Sequence, residues 1–229
     1  MDMGRTEKAK LAVAATLKCV VGLLAMGLLL FLPAGTLHYR GAWLLLALLF
    51  VPMVIFGVAL LLFSPSLLQR RLQSKESRSK QSAVMRLSGL MFIAGFVVAG
   101  LDHRYGWSVM PSSVVMVASI VFLVAYALYV EVVRENEWLS RTIEVAEKQK
   151  VISTGLYGIV RHPMYLATIV LFLTMPIILG SWWALIVFLC YVPIIVIRTL
   201  DEESLLMTEL EGYAEYCTRV RWRIVPFIW

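Results

Sequence analysis

Two short polar segments border one long apolar run, and both carry side chains that can bind charged groups. The first ends in Arg161-His162-Pro163-Met164-Tyr165, and the second begins Arg198-Thr199-Leu200-Asp201-Glu202-Glu203. Pro163 suits the first turn of a helix, and the free backbone N–H groups of such a turn attract an anion. The helix leading to Glu202 brings its negative end and three carboxylates to the same surface, which favours a cation. Adjacent anion and cation poles predict a zwitterion site, and S-adenosylmethionine fits it with its carboxylate, ammonium and sulfonium.

The same residues also have simpler explanations. His162 beside Pro163 is equally typical of a helix cap. Arg198 and Glu202 are spaced i, i+4 and could form a surface pair worth a few tenths of a kcal/mol. Tyrosines at this depth commonly form an interfacial belt, and the arginines near the C-terminus commonly set topology.

Composition excludes a soluble globular protein. The chain has 229 residues, of which 60% are hydrophobic and 16% charged, with a mean hydropathy of +0.82. Ordinary soluble domains are about 45–50% apolar and about 25% charged, so the chain is predicted to be an integral membrane protein. The net charge of +6 indicates basic loops rather than nucleic-acid binding. Three cysteines and three histidines are scattered along the chain, so we predict neither a disulfide framework nor a metal site.

About six transmembrane helices are predicted. Their approximate ranges are 11–33, 41–63, 83–101, 112–134, 165–179 and 182–199. Residues 66–82 are interpreted as a basic loop that sets orientation or attracts anionic lipid head groups. Residues Asp102 to Pro111 are interpreted as a short polar loop.

The last apolar run has two solutions. Residues 166–197 would make about 48 Å of helix, more than one hydrocarbon core of about 30 Å and less than two. Either a hairpin of two short helices turns near Gly180-Ser181, or one tilted helix crosses. With the hairpin and both termini cytoplasmic, every Lys and Arg except Arg40 and Arg104 lies on the cytoplasmic side, which favours this topology.

A set of motifs in the last third of the chain resembles a known family. The pattern G-L-Y-x-x-V-R-H-P-M-Y, then R-x-x-x-E-E, G-Y-x-x-Y and a basic stretch ending at Pro226, is similar to the isoprenylcysteine carboxyl methyltransferases. That family is related to the membrane phospholipid methyltransferases. The resemblance covers about residues 135–229 and divides the chain into four N-terminal helices, 1–134, and a methyltransferase core, 135–229.

The resemblance implies an all-α integral membrane methyltransferase that uses S-adenosylmethionine. Its cofactor pocket would lie on the cytoplasmic side, closed by the C-terminal segment, and its lipidic acceptor would come from the bilayer. By this resemblance, the residues expected to bind the cofactor are Gln149, Lys150, Val151, Ile152, Tyr157, His162, Pro163, Met164, Tyr165 and Glu202. Arg198 is expected, by the same resemblance, to bind the acceptor and take part in catalysis. Glu203 is a further catalytic candidate, as a base if the acceptor is an amine.

The acceptor is less well specified than the cofactor. Family members that act on prenylcysteine often carry a histidine near Gln149, where this chain has Gln149-Lys150. The carboxylate of a prenylated cysteine or a similar lipidic acceptor is the first expectation, and a phospholipid amine or a thiol is the alternative. A membrane binding or sensory protein on the same fold is the non-enzymatic alternative.

Overall fold

A computed structural model describes residues 4–72, 79–136, 138–139 and 149–229. Within these residues the chain is helical, with one isolated bridge between Val160 and Trp222. The helices are α1 (Arg5–Ala34), α2 (Arg40–Phe63), α3 (Pro65–Leu72), α4 (Ser79–Tyr105), α5 (Ser112–Glu135), α6 (Pro163–Ile178), α7 (Trp182–Leu189), α8 (Tyr191–Glu209) and α9 (Tyr213–Arg219). A 3₁₀ turn spans Gly155–Gly158.

The chain is an integral membrane protein by the length and composition of its helices. Five segments are long and apolar enough to cross a membrane: α1, α2, α4, α5 and the continuous stretch Trp182–Glu209. The remaining apolar helix, α6, has 16 residues. Many of their leucine and valine side chains are exposed, as expected for helices that face lipid.

The predicted hairpin is present, and the single tilted helix is not. Helix α6 ends at Ile178, Gly180 turns the chain with a positive φ of 79°, and Ser181 caps α7 by accepting a hydrogen bond from Ala184 N. The interruption between α7 and α8 at Cys190 lies three residues before Pro193. A proline ring clashes with the carbonyl group four residues earlier, here that of Leu189, and cannot donate to it.

Several predicted boundaries were wrong. Helix α1 begins at Arg5 rather than 11, and part of the predicted loop 66–82 is helical, as α3 and as the first turn of α4. Leu67 and Leu68 of α3 are buried, so apolar contacts stabilise a helix in a segment whose basic residues predicted a loop. Helix α8 continues to Glu209 instead of ending at 199, because backbone hydrogen bonding continues past the apolar run. The three carboxylates therefore lie inside α8, and the predicted negative helix end beside them was wrong.

The end of the bundle opposite His162 is held by a buried polar cluster. Asp102 is 2% exposed and accepts hydrogen bonds from Ser108 N (2.7 Å), Ser108 Oγ (2.6 Å) and Ser181 Oγ. Tyr39 Oη donates to Leu179 O at 2.7 Å. Asp102 is thus helical and buried, not part of a surface loop, and this cluster fixes the hairpin turn against α2 and α4.

Candidate functional site

The loop before α6 is shaped by Glu135, the last residue of α5. Its carboxylate accepts hydrogen bonds from Thr154 Oγ1 and Leu156 N, both at 3.1 Å. Gly155 has a φ of +49°, and a Cβ there would lie 2.0 Å from the Glu135 carboxylate. Only glycine fits this turn, which brings Tyr157 inward.

Two buried tyrosines join this loop to α9. Asn136 Nδ2 donates to Tyr157 Oη at 2.9 Å, and Tyr216 Oη donates to the carbonyl oxygen of Tyr157 at 2.7 Å. Burial raises the pKa of both phenols well above its usual value near 10, so both hydroxyls stay protonated.

The C-terminal segment lies along residues 160–162. Arg161 N donates to Trp222 O at 2.9 Å and His162 N donates to Arg223 O at 2.8 Å. These bonds place the side chain of Arg223 beside the first turn of α6. They also use the N–H of His162, so the first turn of α6 is less free to bind an anion than the sequence suggested.

His162 faces two carboxylates of α8. It occupies the cap position of α6 but makes no side-chain capping hydrogen bond, and Pro163 begins the helix as predicted. His162 Nε2 lies 3.3 Å from Glu203 Oε1, and Nδ1 lies 3.9 Å from Glu202 Oε1. The hairpin thus brings the two motifs together on one side, and the simple capping explanation is wrong.

Glu203 is surrounded by basic groups. Its Oε1 lies 2.8 Å from Arg161 Nε, a close charge pair without hydrogen-bond alignment, and its Oε2 accepts from Arg223 Nε at 2.7 Å. The side chains of Glu203 and Arg161 are each 8% exposed. This carboxylate therefore ties α8, the first turn of α6 and the C-terminal segment into one unit.

Glu202 belongs to a different chain of contacts. Arg198 Nε donates to Tyr165 Oη at 3.0 Å, and Tyr165 Oη donates to Glu202 Oε2. The three side chains join α6 to α8 through the tyrosine hydroxyl. Arg198 and Glu202 are partly buried, so they are not the exposed surface pair that their spacing alone would allow.

A cavity of about 700 Å³ opens along one face of α8. The face carries Tyr191, Ile195, Arg198, Glu202 and Leu206, which recur at helical spacing. Glu203 is rotated by about 100° from Glu202 on the helix, and it does not line the cavity. The adjacent carboxylates of Glu202 and Glu203 therefore face different surroundings: Glu202 faces the cavity, and Glu203 faces Arg161 and Arg223.

Most of the predicted cofactor positions line this cavity. They are Gln149, Lys150, Val151, Ile152, Tyr157, His162, Met164, Tyr165 and Glu202, and the predicted acceptor residue Arg198 lines it too. Pro163 does not line it; it is buried and starts the helix that presents its neighbours. The geometry brings these residues together, and their roles toward a ligand stay predictions.

The other half of the cavity is apolar. Helices α2 and α4 contribute Leu49, Met53, Phe56, Leu60, Val84, Met85 and Phe92. Gly57 and Gly89 also line it, and a Cβ at either position would meet no atom within 4 Å. One cavity therefore joins a polar end to an apolar end with room beside both glycines.

Four further residues line the polar end without a role predicted from the sequence, although Arg161 and Tyr213 stand in the quoted motifs. Arg71 reaches it from α3, with its guanidinium carbon 5.1 Å from the ring centre of Tyr129. Trp138 and Arg161 line it as well, and Tyr213 contributes a hydroxyl that is buried with no hydrogen-bond partner among the described atoms. Burial raises the pKa of Tyr213, so it is a neutral donor. Pro65 followed by Leu67 and Leu68 was the available signal for α3.

The described lining is rich in positive charge. Arg71, Lys150, Arg161 and Arg198 line the cavity, against the single carboxylate of Glu202. Glu203 compensates Arg161 from outside the lining. The described part of the polar end therefore suits a ligand set with net negative charge.

Residues 114–212 match the family described as phospholipid methyltransferase. That family of membrane methyltransferases includes the isoprenylcysteine carboxyl methyltransferases, so the predicted resemblance is confirmed over these residues. The match covers less than half of the chain. It begins inside α5, earlier than predicted, and ends before Tyr213.

A sterol enzyme is also similar over a shorter part. A stretch of 91 residues is 32% identical to a Delta(14)-sterol reductase of Mus musculus. It covers 38% of this chain and 22% of the reductase.

Proposed function

We propose that the chain is a membrane methyltransferase that transfers the methyl group of S-adenosylmethionine to an anionic lipidic acceptor. The carboxylate of a prenylated cysteine is the first choice. The observation that carries the proposal is the cavity itself. Nine of the ten predicted cofactor positions, and the predicted acceptor residue Arg198, line one space whose far half is apolar.

The polar end fits the cofactor in size and chemistry. A volume of about 700 Å³ lies within the range usual for small-molecule sites. Buried polar atoms normally have partners, so the hydroxyl of Tyr213, which has none among the described atoms, favours a bound polar group there. The carboxylate of Glu202 and the rings of Tyr157 and Tyr165 suit the ammonium and the sulfonium.

When bound, S-adenosylmethionine supplies a methyl group that is transferred as its sulfonium becomes a neutral thioether. The protein then has to hold the acceptor in line with the methyl carbon and exclude water. Tyr165 is well placed for this, because it joins Glu202 on the cofactor side to Arg198 on the acceptor side through one hydroxyl.

Arg198 would orient the acceptor. A carboxylate is already a nucleophile at neutral pH, so it needs alignment rather than deprotonation, and a guanidinium can orient it. An anionic acceptor also offsets the excess of cations in the described lining, which a cationic amine would increase. The apolar half, open at Gly57 and Gly89, would hold its hydrocarbon chain.

We further propose that the site faces the cytoplasm and that residues 220–229 close it. The backbone bonds from Arg161 and His162 to Trp222 and Arg223 hold this segment beside the polar end, although none of residues 220–229 lines the cavity. The excess of Lys and Arg at this end supports the orientation.

A phospholipid acceptor is the second candidate, favoured by the description of the matched family. A cationic amine would need a base. Glu203 is poorly placed to be that base, because three basic side chains hold it outside the cavity lining.

The test is methyl transfer by purified protein reconstituted in lipid, with labelled S-adenosylmethionine and a panel of prenylcysteine, phospholipid-amine and thiol acceptors. Glu202→Ala should weaken cofactor binding, whereas Arg198→Ala should mainly reduce acceptor turnover. Glu209→Ala and Arg219→Ala are controls, since both residues are exposed and neither lines the cavity. Unchanged cofactor binding in Glu202→Ala would contradict the assignment of Glu202 to the cofactor. Label found in the phospholipid amine alone would show that the acceptor is an amine and not a prenylcysteine carboxylate.

A further inference from the structure

We propose that the loop formed by residues 222–229 is a membrane anchor whose tip, Phe227 and Ile228, inserts among the acyl chains of the leaflet on the side of the cavity. The tip is strongly exposed: Phe227 by 85% and Ile228 by 78%. Exposing two adjacent large apolar side chains to water is unfavourable, and an apolar surround removes that cost.

The loop holds its tip in a fixed shape. The backbone N–H groups of Arg223, Ile224 and Val225 all donate to Trp229 O, at 2.8, 3.0 and 3.3 Å. Phe227 has a φ of 66°, a conformation that is uncommon for a bulky residue and that these bonds enforce. Ile224 is buried in the main apolar core, so the base of the loop is fixed while its tip projects outward.

The short length of α6 sets the depth of the loop. With 16 residues, α6 is about 24 Å long, whereas α2 and α5, with 24 residues each, are about 36 Å long. Their far ends are level, because Ser113 of α5 and Ile177 of α6 line one groove and Tyr39 contacts Leu179. The first turn of α6 is therefore recessed by about 12 Å from the near ends of its neighbours.

This recess places the loop in the membrane. A hydrocarbon core is about 30 Å thick, so a helix of about 24 Å ends near or below the boundary between head groups and acyl chains. The loop is bonded directly to Arg161 and His162 at that end. Its tip thus lies at acyl-chain level, and Trp222 and Trp229 flank it as interfacial residues commonly do.

Positive charges just before the loop also suit binding to a membrane. Arg219 and Arg221 are exposed just before it, where anionic head groups would meet them. Membrane insertion would then hold residues 222–223 against 161–162, so the bilayer itself would stabilise the segment beside the cavity.

The first test measures the depth of single spin labels. Cys19, Cys190 and Cys217 are replaced by serine, and a nitroxide is attached at Ile228→Cys or Phe227→Cys in vesicles of phosphatidylcholine and phosphatidylglycerol. Reference labels are Ile55→Cys, on the exposed face in the middle of α2, and Glu215→Cys, exposed on α9. We expect the tip labels to be accessible to oxygen, as at Ile55. Preferential access of a water-soluble nickel complex, as at Glu215, overturns the proposal.

A second test needs no variant. The unmodified chain is reconstituted with phosphatidylcholine that carries a diazirine in the part of an acyl chain next to the head group, irradiated, and mapped by mass spectrometry. Adducts on residues 227–228 support the anchor. Adducts on α2 with none on the loop overturn it, whatever the labelled variants do.

Discussion

Glu203 should act on structure rather than on proton transfer, and its substitution tests this directly. The side chain is 8% exposed and faces Arg161, equally buried, at 2.8 Å. Glu203→Ala leaves that guanidinium without its charge partner, and breaking a buried pair in this way costs about 3–5 kcal/mol. The pair with Arg223 adds less, because the Arg223 side chain is 34% exposed and screened by water.

Glu203→Gln should be milder. It keeps an oxygen acceptor and the shape of the side chain but loses the charge, and a hydrogen bond to a charged group is worth about 1.5–3 kcal/mol. We expect a smaller loss of stability than in the alanine variant, with cofactor affinity and turnover falling together as the first turn of α6 loosens.

The assay combines a denaturant titration in mixed micelles with cofactor binding and methyl transfer. Glu202→Gln is the matched control on the same helix. Its side chain is 25% exposed and lines the cavity, so it should lose cofactor affinity with little change in stability. A Glu203→Gln variant that is as stable as the native chain, binds the cofactor normally and has lost turnover would contradict the structural role, because that is the behaviour of a catalytic base.

Three further predictions follow from the cavity and its walls. Tyr213→Phe should leave stability unchanged and weaken cofactor binding by about 0.5–1.5 kcal/mol, read by calorimetry, because its hydroxyl lacks a partner until a ligand arrives. Gly57→Leu and Gly89→Leu should raise KM for long-chain acceptors without changing cofactor affinity; an unchanged chain-length profile would show that the acceptor lies elsewhere. Because burial raises the pKa of Tyr157, Tyr213 and Tyr216, their contribution to stability is complete below pH 10 and falls above it, by about 1.4 kcal/mol per pH unit for each tyrosine. Tyr216→Phe should flatten that alkaline loss in thermal unfolding, and an unaltered slope would contradict the assignment.

The hairpin and the meeting of its two motifs could be predicted because strong local signals bound them. Pro163 marks a helix start, Gly180-Ser181 marks a turn, and the charge pattern favours an even number of crossings. Once the chain turns back, His162 and Glu202 must lie on the same side. The structure places them 3.9 Å apart.

The missed elements have physical causes too. Helix α3 was interpreted as a loop because its basic residues hide two leucines that bury against the bundle. The end of α8 was placed where hydropathy falls, but a helix that packs against protein needs no apolar face toward lipid, so it continues through Asp201, Glu202 and Glu203. Arg71 lines the cavity only because of how α3 packs against the bundle, and no local pattern in the sequence predicts that packing.

Both the sequence and the structure are needed to explain why Glu202 and Glu203 have different roles. Adjacent residues on a helix point about 100° apart, so the sequence alone predicts that they face different surroundings. Which one faces the cavity depends on the rotation of α8, and that is set by Tyr191 and Ile195, whose side chains pack into the apolar core on the same face as Arg198 and Glu202. The apolar contacts of α8 deep in the membrane therefore decide which carboxylate can meet a ligand. Ile195→Trp places a larger side chain where the apolar core meets the cavity, so cofactor affinity measured by calorimetry should fall although no charged residue is changed.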